Sequence, residues 1–243
     1  MTIPKTIMQT FKDEESLNDD MRSAMSLWKR KNPDWKYEIF YDDDCKKFIK
    51  KHFNSDVLKA FDIINPGAGK ADLFRYCYLY VKGGVYADVD TKCIKSLNSI
   101  LDLDQEFISV LHSRHYGKYH SIYQAFIACK PGYAGLNTAI MLATYNIINK
   151  SYLTNTSDSL PKLAPLLKVT GTKLLADAIN ITEGKALNSP LENDKMFPFK
   201  MRQVTLNSKR RLAIIDNDDK PVIQCKYDGY DPGTYWTREK LYS

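Results

Sequence analysis

Apolar and polar residues alternate in two rhythms along the N-terminal part of the chain, and the rhythm changes at each cluster of turn residues. Ile3 to Phe11 reads as a strand, with Pro4 at its start, where a missing amide donor is tolerated. Leu17 to Lys31 places Met21, Ala24, Met25 and Trp28 on one helical face and is stopped by Asn32-Pro33-Asp34. Trp35 to Tyr41 alternates as a second strand, Asp43 to His52 and Val57 to Ile64 read as helices, and Asn65-Pro66-Gly67 turns the chain. From Ala68 to Lys82 the residues Leu73, Phe74, Cys77, Tyr78 and Val81 form one apolar stripe. Gly83-Gly84 ends that helix, and Val85-Tyr86-Ala87 is a short strand that delivers Asp88 and Asp90 at its end.

The rest of the chain keeps the alternation of types. Phe107 to Leu111 and Ile122 to Cys129 are continuous apolar runs expected as buried strands, followed by a helix from Leu136 to Ile148. Ser151 to Ser159 is a polar loop, and Val169-Thr170-Gly171-Thr172 leads into a helix from Lys173 to Asn180. Beyond Met196 come short strand-like runs, MFPF, RLAII and PVIQC, and an aromatic end. Strands alternating with helices predict an α/β fold, a Rossmann-like, mostly parallel twisted sheet flanked by helices, in one domain spanning residues 1–243. The Asp88-Val89-Asp90 motif then lies at the carboxyl end of a strand, where ligands gather in open sheets.

Composition narrows the function classes. An apolar fraction of 44% over 243 residues supports a full core. The net charge of +6 comes from lysines spread along the whole chain, which suits a phosphate-bearing small molecule or polyanionic acceptor better than nucleic acid. Five cysteines without a C-x-x-C pair argue for reduced, buried thiols rather than a disulfide framework or zinc site. No run is long and apolar enough to span a bilayer, so the expectation is a cytoplasmic protein without a membrane span, with peripheral association left open.

The candidate chemistry is carried by acids. Asp72 and Arg75, three apart on a helix, are neighbours on one face, and Asp88 and Asp90, two apart on an extended segment, can converge on one cation or polar ligand. The first pair reads either as an ion pair stapling helix to sheet or as ligand-facing groups, and the burial cost of such pairs favours the second. Asp42, Asp43 and Asp44 stand at the head of a helix whose dipole favours acids, so they are read as capping and not as a metal cluster. Three of the four histidines fall between His112 and His120, beside Arg114 and Lys118, in a loop able to meet a diphosphate or an acidic acceptor.

The stretch from Ala68 to Asp90 resembles glycosyltransferase family 32, the retaining glycosyltransferases with a D-x-D sugar-binding region, and more distantly the clostridial glucosylating toxins. Asp72, Arg75, Tyr76, Gly83, Gly84, Tyr86, Asp88 and Asp90 fill the extended pattern of that group. The opening IPKTIMQTF and the segment NPDWKYEIF are similar to family segments too, with Met8 and Phe11 where His and Trp are usual. The resemblance implies a GT-A fold and a retaining, front-face transfer of a hexose from a UDP- or GDP-sugar to a glycan or other hydroxyl acceptor. It assigns Asp72, Arg75, Asp88 and Asp90 to catalysis. Asp90 is the direct ligand of Mn²⁺ or Mg²⁺, and Asp88 binds through water or holds the ribose. Gln9, Thr10, Phe11, Tyr86, Asp88 and Gly171 are assigned to the nucleotide sugar, with Trp236 as a lid or sugar-stacking residue. Residues 196–243 would be the closing element, but the family's C-terminal histidine ligand is missing. A catalytically silent carbohydrate-binding module and a sugar-nucleotide hydrolase are the competing readings.

Overall fold

The computed structural model describes residues 1–112, 114–115, 118–119, 121–151, 165–206, 209–225 and 241–242. In chain order its elements are β1 (Thr6–Thr10), α1 (Asp19–Lys31), β2 (Lys36–Phe40), α2 (Asp42–His52), α3 (Ser55–Ile63), α4 (Gly67–Lys82), β3 (Gly84–Ala87) and β4 (Lys92–Cys93). These are followed by β5 (Phe107–Leu111), β6 (Arg114–His115), β7 (Lys118–Tyr119), β8 (Ile122–Cys129), α5 (Ala134–Ile148), α6 (Pro165–Val169), α7 (Thr172–Thr182), β9 (Phe199–Leu206), β10 (Lys209–Ile215) and β11 (Pro221–Gln224). Nine strands form one sheet in the order β2-β1-β3-β8-β5-β9-β10-β11-β4. The α/β class and the flanking helices are as expected, and the sheet is mixed. Its parallel pairs are β1 with β2, β1 with β3 and β5 with β9, whereas β8 runs against both β3 and β5. A continuous apolar run records burial on both faces and carries no strand direction, which is why β8 was not legible as antiparallel.

The pleat sorts the core into two layers. Met8, Tyr86 and Ile127 point into the cluster beneath α2 to α7. Their neighbours Ile7, Val85, Ala87, Phe126 and Ala128 point into the opposite cluster, which Trp28 of α1 completes. Helix α4 is buried almost all round, including Asp72 and Arg75, so the single apolar stripe expected for it is too narrow. It lies in the middle of the helical layer and packs against both α2 and α5.

Local chemistry sets the element ends. Asn18 caps α1 by accepting from the Met21 N–H at 2.9 Å. The acids of α2 occupy its first turn, and Asp44 accepts from the Tyr41 N–H at 3.4 Å, as their capping role requires. The helix-to-strand switch at Gly83-Gly84 uses positive φ of 64° and 96°. A Cβ on Gly84 would stand 2.8 Å from the Thr6 carbonyl oxygen, so the glycine lets β3 come alongside β1. The three C-terminal strands β9, β10 and β11 belong to the main sheet. Much of the stretch expected to close over the site is therefore sheet, and residues 226–240, with Trp236, lie outside the described residues.

Substituting Gly84→Ala is expected to cost about 2 kcal/mol or more, since the new side chain meets both an unfavourable φ and a backbone oxygen. Gly67→Ala, with nothing within 4 Å of its Cβ, leaves stability near wild type. Urea unfolding of the two variants checks the contrast.

Candidate functional site

The site is built where α4 crosses the carboxyl end of β3. Period-two alternation puts Tyr86 and Asp88 on the same side of the chain, the side facing α4, where Arg75 meets both. The guanidinium lies 4.3 Å from the Tyr86 ring centroid. Its Nη2 is 3.1 Å from Asp72 Oδ1 and 3.4 Å from Asp88 Oδ1. Nη1 donates to the Gln124 carbonyl at 2.7 Å and Nε to the Ala71 carbonyl at 3.2 Å. One cation thus ties α4 to β3 and β8. The Tyr86 hydroxyl donates to the same Asp88 oxygen.

Burial and charge set the protonation of this group. Removal from water pushes Asp72 up to about 7, although Arg75 and the Thr170 hydroxyl, donating at 2.9 Å, both pull it down. Burial works against the Arg75 cation, but Tyr86, Asp88 and Asp72 around it outweigh that and raise it further. Arg75 is therefore a fixed positive charge, while Asp72 is poised near neutrality.

The Asp pair itself sits on a turn and not on a strand. β3 stops at Ala87, and the Thr91 N–H returns to the Asp88 carbonyl at 3.1 Å. The convergence of Asp88 and Asp90 accordingly depends on that turn. The Asp88 carbonyl also accepts from the Thr91 hydroxyl at 2.6 Å and from the Gln9 side-chain amide at 3.0 Å. The Thr91 carbonyl in turn accepts from Trp28 Nε1 of α1 at 2.9 Å. Arg75 and Tyr86 hold the turn from the α4 face, and Gln9, Thr91 and Trp28 hold it from the α1 face. Asp88 keeps a side-chain exposure of 33%, against 9% for Asp72 and 5% for Arg75. It is the open member of the group.

The other nominated residues divide by what their side chains already do. Gln9 is fully buried, accepts from the Tyr37 hydroxyl and donates to Asp88, so its contact is with the Asp88–Thr91 turn. The Thr10 hydroxyl donates to the Phe40 carbonyl at 2.9 Å. Phe11 is half-buried just past β1, the most open of the three. Gly171 caps α7 and donates its N–H to the Leu166 carbonyl at 3.0 Å. A Cβ there would be 2.7 Å from Leu167 Cα, so close packing on α6 calls for the glycine, and the reach to Asp72 comes from Thr170. Thr170, Thr91, Trp28 and Tyr37 carry no local signal for these roles, because each contact bridges distant elements. Gln124, a buried polar residue of β8, joins the network: its carbonyl accepts from Arg75 and its amide donates to the Tyr76 hydroxyl. In the histidine-rich segment β6 and β7 pair antiparallel, and the His112 ring lies 5.7 Å from Tyr123.

As a donor set for a divalent ion, the turn offers two hard carboxylates, one of them with an oxygen already engaged by Tyr86 and Arg75. Among the described residues no group of three or more His, Cys, Asp and Glu side chains is assembled. Such a set fits a cation that completes its coordination with phosphate oxygens, and not a closed structural zinc site.

Comparison with known proteins gives a family match and a shared fold. Residues 18–107 match the family described as a glycosyltransferase sugar-binding region containing a DXD motif. The initiation-specific alpha-1,6-mannosyltransferase of Candida albicans is 38% identical over 100 residues, which is 39% of this chain and 26% of that protein. Its namesake from Saccharomyces cerevisiae is 30% identical over 103 residues, covering 40% of this chain and 22% of its own length. An uncharacterized glycosyltransferase of Acanthamoeba polyphaga mimivirus is 32% identical over 102 residues, 42% of this chain and 41% of its own length. The match thus spans only about a quarter of the mannosyltransferases. Among solved structures, the PaToxG glycosyltransferase superposes with a TM-score of 0.54 at 16% identity, over 74% of this chain and 70% of its own. The ligand-free glycosyltransferase domain of the YGT toxin gives 0.52 at 11% identity, over 75% and 78%. These structures share the fold, which is of the GT-A type.

The protonation of Asp72 predicts a pH signature. Its folded pKa of about 7 lies above the ordinary carboxylate value, so its contribution to stability is fully present below about pH 4 and is lost as pH rises through about 7. Thermal melting of wild type and Asp72→Asn across that window is expected to show a downward slope in the wild type that the variant lacks.

Proposed function

We propose that this chain, whose residues 18–107 match the family of glycosyltransferase sugar-binding regions containing a DXD motif, is a retaining glycosyltransferase acting on a nucleotide-diphosphate hexose. The observation that carries this reading is the placement of a buried Arg75 between Asp72 and Asp88 beside a turn that holds Asp88 half open. The mannosyltransferase relatives favour a mannosyl donor, within the wider choice of UDP- and GDP-sugars. The acceptor is a hydroxyl of a glycan or glycoconjugate, and residues 1–243 act as one domain. The free, buried cysteines suit a reducing compartment, and cytoplasmic action is the reading we adopt. Among the described residues no helix is long and apolar enough to cross a membrane.

In this reading Asp88 and Asp90 would hold Mg²⁺ or Mn²⁺, which when bound would supply positive charge for the diphosphate. The chain supplies orientation. Arg75 fixes the Asp88 carboxylate and keeps a permanent positive charge beside the leaving group. Asp72, protonated or ionised near neutrality, hydrogen-bonds the donor sugar's hydroxyls at its remaining lone pairs. Gln9 and Thr91 keep the Asp88 carbonyl, and with it the turn, in one position as the diphosphate leaves. No side chain is assigned as a general base, since front-face transfer passes the acceptor's proton to the departing phosphate.

Melting the protein with UDP-, GDP- and CMP-sugars, with and without Mn²⁺, tests the proposal, followed by assay of nucleotide release for any donor that stabilises. One donor is expected to raise the melting temperature only when metal is present. Asp90→Ala should abolish that shift and reduce transfer at least a hundredfold, with a folded protein confirmed by circular dichroism. Stabilisation without turnover would favour the silent binding module, and metal-dependent turnover surviving in Asp90→Ala would sink the assignment of the ligand.

A further inference from the structure

The parallel strands β1, β2 and β3 give the molecule two chemically distinct ends. At their carboxyl ends lies the site. At their amino ends lie the C-termini of the helices that connect them, and these are loaded with cations: Lys29, Arg30 and Lys31 close α1, Lys50, Lys51 and His52 close α2, and Lys82 closes α4. Contacts between the elements place these ends together. Phe53, just past α2, is 6.5 Å ring to ring from Tyr80 of α4, and the charges of Lys51 and Lys82, after partial desolvation, depress His52. Register joins the third helix to them, because Lys36 at the start of β2 pairs with Thr6 of β1, and Ile7 pairs with Val85 three residues after Lys82.

The acids on this face answer only part of the charge, Glu38 feeling Lys82 as well as Lys36. Asp34 is engaged by Lys5 at 2.8 Å and Glu38 by Lys36 at 2.6 Å. Among the described residues no carboxylate comes within ion-pair distance of Arg30, Lys31, Lys50, Lys51 or Lys82, all of them exposed. Asp56 at the head of α3 borders the patch, and the Ile3 N–H donates to the Leu103 carbonyl at 2.8 Å, so the exposed Asp102 and Asp104 border it beside the amino end of β1; the positive face is the surface carried by the ends of α1, α2 and α4. Cations near a helix C-terminus gain something from the helix dipole, and that accounts for one or two per helix. It does not account for three helices converging on one face.

The form of the patch limits its partner. Helix C-termini present carbonyl oxygens, not N–H groups, so this end cannot cradle a single phosphate as a helix N-terminus does. Lysines on flexible stems over a broad face suit a diffuse, extended negative surface, whereas a nucleic-acid site calls for arginine forks and stacking platforms. We propose that this cationic end docks the protein on an anionic lipid bilayer. The Asp88–Thr91 turn, at the opposite ends of the same strands, then faces away from the lipid. The proposal is independent of the catalytic reading, since it rests on charges distant from the site.

Sedimentation of the whole chain with phosphatidylcholine vesicles, with and without about 30% phosphatidylserine, at about 0.1 M salt, tests it. Wild type is expected to bind the anionic vesicles and not the neutral ones, with binding lost as salt is raised. A Lys50→Glu, Lys51→Glu, Lys82→Glu variant should bind at least tenfold more weakly. A Lys185→Glu, Lys195→Glu, Lys220→Glu variant, with the same change in net charge at exposed positions elsewhere, should bind within about twofold of wild type by the same electrostatic argument. Equal loss in both variants would reduce the effect to net charge and overturn the docking face, as would failure of wild type to distinguish the two vesicles. Unchanged melting temperatures in both variants separate lost docking from lost folding.

Discussion

A single buried cation organises this protein. Arg75 reaches the fold through four directions at once: back along its own helix to Ala71, across to Gln124 of β8, sideways to Asp72 and forward to Asp88, with the Tyr86 ring beneath it. Taking a guanidinium out of water is costly, and the cost is met only if its donors and charge are answered almost completely. That requirement fixes the distance between α4 and the sheet and the position of β8 next to β3. It also fixes the direction in which the Asp88 carboxylate points. The helix is buried nearly all round because it packs between α2 and α5 over the sheet.

The same constraint explains why the acid at Asp72 differs from the acid at Asp88. Both touch Arg75, but Asp72 is enclosed and also takes a hydrogen bond from Thr170, whereas Asp88 keeps a third of its side chain open. Enclosure raises the first toward neutrality against the pull of its partner. One cation thus lies between two carboxylates of unequal exposure, one enclosed and one open. The difference follows from where the helix and the strand end face solvent, not from residue type.

Much of this was legible from the order of residues. The helix from Ala68 to Lys82, its glycine stop and the strand after it appear within a residue or two of the expected bounds, because periodicity and glycine chemistry are local. Asp72 and Arg75 pair as three-residue spacing requires. What local pattern did not convey was long-range. Thr170 lies 98 residues from Asp72, Gln9 lies 79 from Asp88, and Trp28 lies 63 from Thr91. Each is a polar group in a segment whose own pattern says only that it is strand, helix or turn. The direction of β8 was hidden for a related reason, since a strand buried on both faces reads alike in either direction.

The turn at Asp88–Thr91 joins the local constraints to the long-range ones. A pleated strand would have aligned Asp88 and Asp90 by geometry alone, but the chain leaves the sheet at Ala87, where β8 still holds the Asp88 N–H through the Ala125 carbonyl at 3.1 Å. A two-residue excursion between fixed ends has few conformations, and three donors on one carbonyl select among them. Two of those donors come from Thr91 itself, so the turn largely fixes its own shape. Gln9 adds the tie to β1, with its amide oriented by the Tyr37 hydroxyl. Burial raises the phenol of Tyr37, which keeps it protonated and able to donate. With its Oε1 so occupied, Gln9 must present Nε2 to Asp88, because the flipped amide would set two acceptors face to face. The position of the Asp88 carbonyl, and with it the turn, is thus secured through Gln9 of β1 and, behind it, Tyr37 of the edge strand β2.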